Sequence, residues 1–347
     1  MGVDEKRDFG KERDGTRRRL PPRLFVLANL TGIALAFLLA LFFAPRLFRG
    51  WRSDDLDSRF PPDALADYLP EDSAAVIGVN FHELLVSPIG RQHLRKSLQQ
   101  LIVRSEQQLP WLEWTRIRPI EDIENLLISF ASRGGGEPLL LARGRIDRSR
   151  FQIGSGMLEQ KLLDHSRIWE YSDRPAKETT LLAVVGDMLV VSDSRGRVQA
   201  ALKQASNPQP TSVRDANLRE LLTKVDRKQS IWVAVSVKQL GPVSAIENYL
   251  LRMIVRPVLM HADIVYGGIT CAEDIRAELH FRSATEENAA HLETDLKSIC
   301  DAAPGAGLLA RQNEVQPLLR LLAVGRIRRE GKTIHLACRL TAEQLQR

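Results

Sequence analysis

Cysteine is scarce in this chain, with three in 347 residues, at positions 271, 300 and 338. The number is odd, none forms a C-x-x-C pair and all fall in the last third, which excludes the disulfide framework of a small secreted scaffold. Their contexts read as core: Cys338 is in phase with Ile334, Leu336 and Leu340, and Cys300 extends a helical stripe of Leu292, Leu296 and Ile299. A single disulfide stays open as an alternative if this part of the chain lies outside the cytoplasm. Signatures of catalysis are missing as well. There is no G-x-x-x-x-G-K-[ST] loop to cradle phosphate, and Gly154-Ser-Gly-Met-Leu-Glu159 stops short of the dinucleotide pattern. His82-Glu83 lacks the second histidine of a helical zinc pair, and no G-x-S-x-G elbow presents a serine. The seven histidines, at 82, 93, 165, 261, 280, 291 and 335, show no metal-site spacing. The carboxylate pairs Glu121-Asp122 and Glu286-Glu287 sit at helix or turn starts, where the backbone dipole favours them. These absences assign no catalytic residue, no cofactor and no metal.

Excess charge is missing from most of the chain too. Residues 1–52 carry 11 of the 49 basic and 5 of the 43 acidic side chains, which leaves 38 of each over 53–347. The pI near 9.4 therefore belongs to the N-terminal segment and gives no support to a nucleic-acid partner.

What the N-terminal segment does contain is a run without charge from Leu24 to Pro45. About 21 helical residues span roughly 31 Å, the thickness of a bilayer core, so 24–45 is expected to be a transmembrane helix. The run is longer than a signal-peptide core and ends without small residues at both A-x-A positions, which favours an uncleaved anchor. Eight Lys/Arg precede the run, against Arg46, Arg49, Arg52 and Arg59 close behind it. The positive-inside bias then keeps residues 1–23 cytoplasmic and the rest extracytoplasmic, anchored in the cell (inner) membrane by a single pass.

Beyond the anchor, residues 46–70 read as a charged, proline-rich stalk. From 71 the pattern predicts a strand at 74–80, a helix through Leu94, Leu98, Leu101 and Leu109, strands at 126–131 and 139–146, and a helix over 148–163. A strand at 167–171, a hairpin at 181–191 turning on Gly186-Asp187, and a helix at 196–204 complete this half. After a connector at 206–213 and a helix at 217–225, a similar order restarts. It comprises a strand at 230–236, a helix at 243–260, strands at 264–270 and 275–281, and a helix at 286–302. A hairpin of 322–327 and 333–340 and a capping box at Thr341-Ala-Glu-Gln344 end the chain. The expected fold class is α+β: one N-terminal transmembrane helix followed by two β-α-β-β-α-β repeats, ferredoxin-like or related, at 71–205 and 214–347.

The cadence Leu69-Pro-Glu-Asp-Ser-Ala-Ala-Val-Ile-Gly-Val-Asn80, the helix start Leu84-Leu-Val-Ser-Pro88 and the strand end Leu189-Val-Val-Ser-Asp193 resemble uncharacterised single-span membrane-anchored proteins common in planctomycete-type bacteria. The resemblance is best over residues 65–205. It implies an exported, duplicated α+β region with no established activity, and it transfers no site residue.

The strands differ in one respect that bears on function. Leu139–Ala142 and Met188–Val191 are continuously apolar, as in a sheet covered on both faces, whereas Ile275-Arg-Ala-Glu-Leu-His-Phe-Arg282 alternates and should leave one face open. Arg276, Glu278, His280 and Arg282, joined by His335 and Arg339, form the candidate binding surface. Two functions are expected from this pattern. One is a non-catalytic, extracytoplasmic interaction module for a protein or envelope polymer. The other is a membrane-tethered hydrolase with its site in a cleft between the repeats.

Overall fold

The computed structural model describes residues 62–91, 111–132, 138–152, 158–163, 166–173, 178–206, 213–240, 249–309 and 316–346. The expected transmembrane helix at 24–45, the cytoplasmic tail and most of the helix placed before Pro110 lie outside the described residues. Among the described residues, no helix is long and apolar enough to cross a membrane.

Twelve strands form one sheet: β1 Ser73–Asn80, β2 Ile123–Ala131, β3 Leu139–Gly144, β4 Leu158–Leu163, β5 Ser166–Asp173, β6 Glu178–Val185, β7 Met188–Ser192, β8 Ile231–Ser236, β9 Ile264–Cys271, β10 Asp274–Arg282, β11 Arg326–Glu330 and β12 Thr333–Thr341. Their order across the sheet is β11-β12-β10-β9-β8-β1-β2-β3-β7-β6-β5-β4, and every pairing is antiparallel. Among the described residues nine helices accompany it: α1 Phe81–Val86, α2 Trp111–Thr115, α3 Pro119–Asp122, α4 Arg195–Ser206, α5 Ala216–Lys224, α6 Tyr249–His261, α7 Glu286–Leu309, α8 Gln316–Ala323 and α9 Ala342–Gln346.

This architecture overturns the expected pair of ferredoxin-like β-α-β-β-α-β repeats. In a split β-α-β unit the two strands joined by the helix run parallel with a third strand inserted between them. Here the strands that such a unit would hold apart pair directly, β1 with β2 and β8 with β9, and the sheet is mostly β with helices laid on its faces; after β3 and after β10 the chain crosses to the sheet edge and returns to pair β7 with β3 and β12 with β10. The apolar runs read alike in both topologies, and only the choice of hydrogen-bonding partner separates them. Three local expectations also change. The helix placed at 148–163 is a short 3₁₀ turn at Arg148–Arg150 followed by β4, whose Lys161 pairs with Glu170 across the strands at 2.8 Å. The strand placed at 322–327 begins only at Arg326, because Leu319, Leu321 and Leu322 enter the core from α8. The end of the expected stalk is a 3₁₀ helix, Pro62–Tyr68, that buries Leu65 and Ala66, with Leu69 buried just beyond it.

Two apolar layers cover the sheet. On one face Leu65, Val198, Leu202, Leu218 and Leu221 pack on Val76, Leu127, Leu141, Val190 and Trp232. On the other, Phe81, Leu84, Trp111, Leu292, Leu296 and Leu322 join Val79, Leu189, Ile231, Ile275, Phe281 and Ile334. The wings meet where Gly78 faces Trp232, and a β-carbon on Gly78 would lie 2.0 Å from the indole. Glycine there lets the ring lie over the strand backbone. Gly186 opens the β6–β7 turn with φ 60°, as a two-residue hairpin with glycine in its first position requires.

All three cysteines are free and buried. Burial pushes the Cys271 and Cys338 thiols up to about 12, which makes them apolar filler and poor nucleophiles. At the C-terminus the capping box forms. The Thr341 N–H donates to Gln344 Oε1 at 2.9 Å and the Gln344 N–H to Thr341 Oγ1 at 3.4 Å.

Candidate functional site

The layer over the first face stops at β9. Beyond it Ile275, Ala277, Phe281, Ile334, Leu336, Cys338 and Leu340 still face the second layer, but the opposite side of β10, β12 and β11 carries no helix-borne apolar cover among the described residues. Period-two alternation then sends every second residue outward. Register does the rest: Arg276 stands opposite Arg339, Glu278 opposite Ala337, His280 opposite His335 and Arg282 opposite Thr333. From β11, Arg326 stands opposite Ala337, Arg328 opposite His335 and Glu330 opposite Thr333. The six residues selected by alternation, Arg276, Glu278, His280, Arg282, His335 and Arg339, are thus placed on one face.

Two arginines directly opposed on neighbouring strands repel. Asp274, only 6% exposed at its side chain, resolves this by accepting from Arg276 Nε at 2.9 Å through Oδ1 and from Arg339 Nε through Oδ2. Burial alone would raise the Asp274 pKa, but the two guanidinium groups outweigh it and hold the carboxyl below its ordinary value. At the other end Arg282 reaches Glu220 of α5 at 3.4 Å, which ties the open face to the edge of the helical layer.

Between these ends lies a histidine pair. The Nδ1 atoms of His280 and His335 are 2.8 Å apart, with the rings edge-on at 86°. Tyr266 of β9 stacks flat beneath His280 at 4.7 Å. A contact between two ring nitrogens is a hydrogen bond only when one carries the proton and the other does not, so the pair holds at most one proton on that axis. Burial, and then the neighbouring His335, lower the His280 pKa, while Glu278 pulls it the other way. His335 Nε2 looks toward Glu330 at 3.8 Å.

Two clefts open on this face, of about 800 Å³ and 390 Å³, and they share Glu278, Arg326 and Ala337. The alanine makes a low floor between longer neighbours, so the two form one groove. At the junction of the wings, where a hydrolase cleft was expected, the cavity beside Asn80, Asn125 and Trp232 is about 10 Å³. Among the described residues no group of three His, Cys, Asp or Glu is placed to hold a metal ion.

Sequence reasoning missed Asp274, Tyr266, Arg326, Arg328 and Glu330. The alternation Arg326-Ile-Arg328 was the available signal, hidden by starting that strand four residues early. No protein family matches the chain, and neither a curated protein nor a solved structure does.

Proposed function

We propose that this chain is a non-catalytic binding module, tethered to the membrane by residues 24–45, that holds an extracytoplasmic partner on the open face of β10, β12 and β11. The observation that carries the reading is the contrast within one sheet. Strands covered on both faces end in three strands that expose a groove walled by arginines and a histidine pair. The cavity of about 10 Å³ between the wings has room for about one water and gives no support to a substrate site there. The test is cross-linking in cells followed by affinity purification and mass spectrometry, comparing the full chain with a variant carrying Arg276→Glu, Arg282→Glu and Arg339→Glu. Circular dichroism confirms that the variant is folded. Partners that disappear with the reversal support the reading, and partners that persist at wild-type levels overturn it.

A further inference from the structure

Arginine dominates the open face: Arg276, Arg282, Arg326, Arg328 and Arg339 share it with the acidic Asp274, Glu278 and Glu330. Most of these charges are already committed. Arg328 pairs with Glu330 at 3.0 Å, and Arg282 with Glu220. Arg276 and Arg339 each spend only the Nε–H on Asp274, and both side chains are more than half exposed, so their outer nitrogens face the groove undirected. Arg326 makes no ion pair among the described residues. Three guanidinium groups with donors to spare therefore surround the floor at Ala337. The histidine pair and Arg328 stand at the other end of the groove.

Four residues of strand separate Arg276 from His280, about 13 Å, so one small anion cannot touch both ends and a chain of anionic groups can. The groove also lacks what other macromolecules require. Its floor is Ala337, and the apolar side chains that line it, Val324 and Ile327 among them, are aliphatic, with no aromatic anchor of the kind that centres a protein interface. The aromatic ring beside it, Tyr266, is already stacked under His280 and offers no free platform to a nucleobase. Resting on the open face as the binding surface, we propose that the groove binds a linear polyanion that is neither peptide nor nucleic acid, a polymer bearing repeated phosphate or carboxylate groups. One group sits among Arg276, Arg326 and Arg339, and the next stands beside Arg328 and the His280–His335 pair, which takes up a proton as the polymer binds.

Proton uptake follows from the surroundings of the pair. Tyr266 faces it from β9, Glu278 and Arg282 from β10, and Arg326, Arg328 and Glu330 from β11. Burial and the second imidazole already oppose a proton on His280, and Arg328 stands directly opposite His335, so added positive charge is resisted until an anion enters. Binding should accordingly tighten as pH falls through the histidine range, from about 7.5 to about 5.5.

The full chain in detergent is titrated by calorimetry with long-chain polyphosphate, polygalacturonate, inorganic phosphate, polyglutamate and single-stranded DNA. The expected result is binding of polyphosphate or polygalacturonate, which separates the phosphate from the carboxylate source, with inorganic phosphate at least about tenfold weaker. Arg326→Ala should weaken polymer binding about tenfold, the loss of one charge-assisted contact, and Arg326→Lys should recover part of it. His280→Gln should flatten the pH dependence. If neither polymer binds while the arginine reversal still abolishes cellular cross-links, the polyanion is wrong and the binding face stands. If a polymer binds but is indifferent to Arg276→Glu, Arg326→Glu and Arg339→Glu together, it binds elsewhere and the polyanion groove is wrong, while the binding face still stands or falls on the cellular cross-links. Preference for polyglutamate or DNA over both polymers, or pH-independent binding by the wild type, also overturns the proposal.

Discussion

Arg197, under the first wing, and Arg276, on the second, are the same side chain in the same sheet protein put to opposite uses. Arg197 is 4% exposed and runs beneath β2, where it donates to the Ser129 carbonyl at 3.0 Å and the Ser129 hydroxyl at 2.8 Å and pairs with Asp72 at 3.4 Å. Ser129 in turn donates to Ser73, and Ser73 to the Pro70 carbonyl, both at 2.8 Å. Burial lowers the Arg197 pKa and the Asp72 charge opposes this, which is the balance a structural cation strikes in a core. Arg276 is 59% exposed, bonds one buried aspartate and otherwise meets solvent. The difference teaches that cover, more than residue type, decides whether a charge in this sheet is spent on the core or left facing solvent.

The sharpest way to break that comparison is to remove each arginine in turn. Arg197→Ala strips the donors from a buried network and should cost about 3–5 kcal/mol, seen as a lower midpoint in urea unfolding. Arg276→Ala should stay within about 1 kcal/mol, and equal losses would abolish the distinction. A smaller effect is expected at the joint between the wings. Gly78→Ala drives a methyl into the Trp232 ring and should cost about 1–3 kcal/mol by the same measurement, while a neutral result would mean the indole is free to move. The smallest effect concerns Asp274. Its folded pKa lies below its unfolded value, so its stabilisation is present above about pH 4 and is lost as pH falls through the folded value. Asp274→Asn should lower stability by about 1 kcal/mol at neutral pH, with the gap to wild type closing as the solution is acidified toward about pH 2. A gap independent of pH would detach Asp274 from its arginines.

Local elements were legible in proportion to how strictly they kept their period. β10 and β12 alternate without a break, and both strand and face could be read directly from 275–282 and 333–340. β4 could not. Leu158-Glu-Gln-Lys-Leu-Leu163 is made of good helix formers, and it is a strand because β5 offers a partner whose Glu170 meets Lys161. Leu322 and Ala323 look like strand beside Val324, yet they end a helix that the core claims through Leu319, Leu321 and Leu322. Within the site, the outward set on β10 was visible, but Asp274 looked like an ordinary turn residue, and Arg326 and Arg328 were displaced by the misplaced strand.

By itself the sequence determined which stretches alternate, which run apolar throughout, that no sequence motif for phosphate, dinucleotide or serine chemistry is present, and that the cysteines sit at core positions. These follow from local chemistry and from spacing along one strand or helix. Only the tertiary structure decided that the strands pair in one antiparallel sheet with β7 returning to β3 and β12 to β10, that a helical layer ends at β9, and that His280 meets His335 while Asp274 lies between Arg276 and Arg339. Those facts depend on which strand is the neighbour and in what register. A slip of one residue would turn the whole face inward, and no single strand's sequence records the choice of its partner.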